Sequence, residues 1–103
     1  MTDLKPTSFK NGVPPQQSNG FFGLEAELIA NPSWLVTAVV TYEVEEIVHK
    51  EVTDERYPVV KARHIEPLRD PEAIAAALNL RDAAYEARTN EDALDLPKVE
   101  DEA

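Results

Sequence analysis

A chain of 103 residues with 20 acids, 10 bases, a net charge of −10 and no cysteine has room for one small domain and excludes disulfide scaffolds, thiolate metal sites and thiol catalysis. The negative balance opposes indiscriminate binding to phosphate backbones or anionic lipid, where neutralising Lys and Arg supply most of the attraction. No stretch reaches the roughly 20 apolar residues needed to cross a bilayer, and Met1 to Lys10 has no apolar run resembling a signal peptide. The expectation is therefore a cytoplasmic protein without a membrane partner.

Residues 1–20 read as a flexible arm. Lys5-Pro6, Pro14-Pro15, Gln16-Gln17 and Ser18-Asn19-Gly20 combine loop formers with few apolar groups, too few to offset the entropy of ordering them. Phe9 and Val13 are the apolar exceptions, able to dock on the body. Phe21 to Ile29 alternates, with Phe22, Leu24, Ala26 and Leu28 on one side and Glu25 and Glu27 on the other. That pattern predicts a first strand with Phe22 inward and Phe21 outward. Ala30-Asn31-Pro32-Ser33 reads as a turn.

Leu35 to Val52 carries the strongest pattern. Val36, Ala38, Val40, Tyr42, Val44, Val48 and Val52 share one side, and Thr37, Thr41, Glu43, Glu45, His49 and Glu51 the other. A period of two assigns them to an apolar and a solvated face of one strand. Glu46 then falls on the apolar face, where an ion pair with Arg63 or His64 is its expected role. Thr53-Asp54-Glu55-Arg56 predicts the next turn, and Tyr57 to Ile65 a third strand. Asp70 and Pro71 mark a helix start. Ile74, Ala77, Leu78, Ala84 and Tyr85 give an alanine-rich stripe, with a stop near Thr89-Asn90.

The expected fold is α+β. A three-stranded antiparallel β-meander carries one C-terminal α-helix packed on its apolar face, over 21–90, between the flexible arm 1–20 and an acidic tail 91–103. Half of the net charge sits in that tail, where Glu91, Asp92, Asp95, Glu100, Asp101 and Glu102 face only Lys98.

Chemistry-bearing motifs are absent: there is no phosphate loop, G-x-S-x-G, H-E-x-x-H or calcium loop. His49 and His64 are too far apart along paired strands to share a metal, and no cofactor is implied. An enzyme would need a site completed at an oligomer interface, around Glu46 with His64 or Arg63. The favoured reading is a non-enzymatic protein-binding module that forms a homo-oligomer, a dimer first, with contacts from Phe21, Trp34, Leu94 and Leu96. Sheet-edge pairing across a two-fold axis is one route to that dimer. The alternative is an accessory role in DNA metabolism, through contacts from Arg56, Lys61, Arg63 and Arg69 or through DNA mimicry by the acidic surface.

The strings Phe21-Phe22-Gly23-Leu24-Glu25-Ala26-Glu27-Leu28, Val48-His49-Lys50, Tyr57-Pro58, Ile65-Glu66-Pro67-Leu68 and Arg81-Asp82-Ala83-Ala84-Tyr85 resemble small accessory proteins of unassigned role encoded by actinobacterial phages. The resemblance implies a phage accessory protein acting in the host cell cytoplasm, with roles such as host interference or support of phage DNA metabolism. It transfers no functional residue.

Overall fold

The computed structural model describes residues 2–95, and side chains over 2–90. Two compact units divide the chain: 1–67 holds every strand and 68–103 holds the long helix.

The first unit is organised by a long hairpin. Strands β3 (Ala38–Lys50) and β4 (Glu55–Pro67) pair antiparallel along their whole length. The turn closes on Asp54, whose φ of 52° lies in the left-handed region that Asp tolerates better than most residues. Glu55 therefore already pairs with Lys50, and the turn lies one or two residues earlier than the sequence pattern places it.

Two short strands, β1 (Asp3–Leu4) and β2 (Ser8–Phe9), pair parallel with β4. Since β3 occupies one edge of β4, both lie along the other. The chain runs beside that edge from end to end. Asp3, Lys5, Lys10 and Gly20 donate backbone N–H groups to the carbonyls of Asp54, Arg56, Val60 and Ile65, at 2.9, 2.8, 2.9 and 2.7 Å.

The sheet thus has four strands, and two of its three pairings are parallel, which overturns the three-stranded antiparallel meander. The N-terminal segment, read as a flexible arm, supplies two of the four strands. An uncovered β4 edge would present a row of unpaired backbone groups. Two-residue strands leave no alternation in the sequence by which to detect them.

The predicted first strand is also overturned. Glu25–Ala30 forms helix α1, and the half-buried residues are Phe21, Leu24 and Leu28. That spacing of three and four is helical. The segment satisfies both periods, and Glu, Ala and Leu favour the helix. Phe22 is consequently the exposed aromatic and Phe21 the half-buried one.

Helix α2 spans Pro71–Asp95. Its start follows the sequence signal: Asp70 Oδ2 accepts the Ala73 N–H at 3.1 Å, an N-cap ahead of Pro71. It runs past Thr89-Asn90, since neither residue breaks a helix as Pro does. The long helix expected from the sequence is present, in the unit that follows the sheet in the chain. The acidic tail from Leu96 onward lies outside the described residues.

Very little is buried. Val59 is the one buried apolar side chain of the described core, at 9 % exposure, joined by Pro14 and Pro67.

Candidate interaction surface

Register decides which side chains share a face, because residues opposite each other on paired strands point the same way. Val44 pairs with Val60, and Val60 pairs with Phe9. Tyr42 pairs with Ala62, Val40 with Ile65, Ile47 with Pro58, and Leu4 with Arg56. These residues form one continuous face across all four strands. At its middle the Phe9 ring meets Tyr42 edge-on, with centroids 5.6 Å apart.

The β3 side of that face is not the simple alternation of the sequence. A bulge at Val44/Glu46 leaves Glu45 without its own partner on β4, so the alternation shifts by one residue. Ile47, not Val48, continues the apolar face. Glu46 pairs with Val59 and so lies on the opposite face, which corrects its expected place beside Val40 and Val44; that face carries most of the charges together with Val39, Val48, Tyr57 and the buried Val59. A second irregularity at Thr41/Tyr42 bulges β4 at Arg63.

On this face Leu4, Phe9, Val40, Tyr42, Val44 and Ile47 are 36–77 % exposed, whereas Pro58, Val60, Ala62 and Ile65 on the central strand β4 are half-buried. Charge is confined to the hairpin-turn end, where His49 pairs with Arg56. There Leu4, Ile47, Arg56, Tyr57 and Pro58 line a shallow hollow of about 330 Å³.

The opposite face carries most of the ion pairs. Lys5 meets Asp3 at 3.1 Å and Glu55 at 3.6 Å. Arg63 pairs with Glu43 rather than Glu46, and His64 with Glu66 at 2.9 Å. The Lys5 ammonium is held above its ordinary pKa, chiefly by its hydrogen bond and charge attraction to Asp3 and then by Glu55. His49 Nε2 lies 3.0 Å from Asp54 Oδ1. All these groups except the half-buried Glu55 are substantially exposed. Water screens them, and the arrangement lacks the dry enclosure that tunes a catalytic carboxylate or imidazole. Among the described residues no group of three or more His, Asp or Glu is placed to hold a metal ion, and no helix is long and apolar enough to cross a membrane.

The residues singled out from sequence are dispersed. Phe21 and Trp34 are both half-buried. The exposed Phe22 lines a separate hollow of about 550 Å³ with Pro15, Gln16 and Gln17. Leu94 lies on the last turn of α2, and Leu96 lies outside the described residues. Arg56 and Lys61 are five residues apart on one regular stretch of β4, hence on opposite faces. Arg63 is engaged by Glu43, and Arg69 belongs to the other unit. Arg56, Lys61 and Arg63 therefore make no continuous basic strip on β4. Leu4 and Ile47 were missed by sequence reasoning. Leu4 sits in a segment too short to show a period, and Ile47 follows a bulge that composition does not reveal.

No protein family matches this chain, and no curated protein or solved structure does so either.

Proposed function

We infer that the chain acts as a non-enzymatic protein-binding module whose contact surface is the apolar face of the sheet. What supports this reading is one observation: Leu4, Phe9, Tyr42, Val44 and Ile47 form a contiguous apolar surface more than half exposed at every one of these positions. Scattered exposed apolar residues are ordinary. A contiguous apolar face spanning four strands is the kind of surface that marks a protein contact. The DNA-metabolism alternative gains nothing from Arg56 and Lys61 standing on opposite faces. The phage accessory role rests on the sequence strings alone.

The test is a paired comparison of binding. Ile47→Lys on the apolar face is set against Lys61→Gln on the polar face, both checked for fold by circular dichroism. The expected result is that Ile47→Lys loses protein contacts, self-contacts included, and Lys61→Gln keeps them. The reverse pattern overturns the reading.

A further inference from the structure

We propose that the hollow at the hairpin-turn end of the sheet binds a small free amphipathic carboxylate, with its anionic head on Arg56 and its apolar body against Leu4, Ile47 and Pro58. The proposal goes beyond the reading of the wider face as a protein contact.

Register isolates Arg56 from acids. Elsewhere in the hairpin Lys61 stands opposite Glu43 and Lys50 opposite Glu55, the opposite-charge arrangement that steadies a sheet. Arg63 reaches Glu43 as well. Arg56 instead has His49 across from it on β3 and Leu4 across from it on β1. The nearby acids are engaged by other bases: Asp54 meets His49 Nε2 at 3.0 Å, and Asp3 and Glu55 meet Lys5 at 3.1 and 3.6 Å. Among the described residues the Arg56 guanidinium has no ion-pair or hydrogen-bond partner, although the chain carries 20 acids to 10 bases. A guanidinium keeps its charge at ordinary pH, and its planar fork matches a carboxylate.

The hollow supplies the apolar half. On the same face the cross-strand pair next to His49–Arg56 is Ile47–Pro58, about 7 Å further along at strand rise. With Leu4 and Tyr57 these residues line about 330 Å³, the lower end for small-molecule sites. A fixed cation at one end of a short apolar span selects one kind of molecule: a single carboxylate on a short alkyl chain or one aromatic ring. An inorganic anion leaves the apolar lining unused, and a neutral hydrocarbon leaves Arg56 unpaired. For an open site and a ligand of about eight non-hydrogen atoms, the affinity is millimolar.

The test titrates sodium hexanoate into the full chain, with acetate and the neutral hexanamide in parallel, and follows backbone amide NMR shifts. The range extends to about 50 mM at constant ionic strength, enough to reach millimolar affinity. Hexanoate should give saturable shifts centred on Leu4, Ile47, His49 and Arg56. Acetate and hexanamide should bind more weakly, hexanamide by about fivefold for the lost charge. Arg56→Gln should remove the advantage of hexanoate over hexanamide, and Lys61→Gln on the opposite face should keep it.

Equal binding of hexanoate and hexanamide overturns the proposal, because the charge then plays no part. Shifts spread over Phe9, Tyr42 and Val44 overturn it too, as does the absence of saturable shifts over the whole range. The wild-type comparison of the three probes decides even if Arg56→Gln fails to fold. None of these results bears on the face as a protein contact, which the comparison of Ile47→Lys with Lys61→Gln judges by itself.

Discussion

At the scale of single residues, two positions hold the N-terminal segment to the hairpin. A Cβ on Gly20 would overlap Pro67 Cδ and lie 2.9 Å from the Ile65 carbonyl oxygen, the acceptor of the Gly20 N–H. Gly20→Ala must therefore push the segment off β4. The expected cost is about 1–3 kcal/mol, the range for overpacking, with faster amide exchange at residue 20. Unchanged stability and exchange would show that the close approach is not made. Asp54 sits at φ 52°, accepts the Asp3 N–H on its carbonyl and meets His49 through its carboxylate. Asp54→Gly keeps the backbone at ease and loses the carboxylate contacts. Asp54→Ala loses them and adds a left-handed strain of about 1 kcal/mol, so Ala should melt below Gly in thermal unfolding. Lys5 titrates with a raised pKa. Its ion pairs thus contribute fully below its ordinary value of 10.5 and are lost as pH rises through the higher folded value. An NMR titration of the Lys5 side chain should place its midpoint above that of Lys5 in the urea-unfolded chain.

At the scale of elements, the two long strands and the start of α2 were legible because each carries a local signal: sustained alternation over Leu35–Val52, and Asp70-Pro71 ahead of a helical stripe. The bulge was not legible. It comes from how β3 fits β4, and nothing at Glu45 marks it in a single sequence. Its consequence can be tested by deletion. Removing Glu45 keeps Val44 opposite Val60 and Glu46 opposite Val59, because Glu45 has no partner of its own on β4. The loss is the Lys10–Glu45 contact at 3.5 Å, an exposed pair of small worth. Removing Val48 instead slides one arm of the hairpin by a residue and turns Ile47 or His49 to the wrong face. The deletion of Glu45 should leave the thermal midpoint within a few degrees of wild type, and that of Val48 should lower it far more. Equal losses would mean that the shift in register is misplaced.

At the scale of the whole molecule, what sequence reasoning could not foresee was where the core would be. Alternation gives β3 an apolar side but does not say what covers it. A helix from the same chain is one cover that the sequence offers, and self-association through the exposed face is another. A cover of that kind makes stability depend on concentration. For a dimer that unfolds as it dissociates, each tenfold rise in concentration adds about 1.4 kcal/mol to the folded side. That corresponds to about 3–5 °C in midpoint for two chains of this length. Salt supplies the second half of the prediction. Two chains at −10 each repel on approach, and the face that joins them has few charges of its own. Added salt therefore screens repulsion without breaking attraction, and association should tighten from about 20 to 500 mM NaCl. An interface made of ion pairs would weaken over the same range. A midpoint independent of concentration would remove the dimer, and a dimer loosened by salt would move its contacts from the apolar face to the charged one.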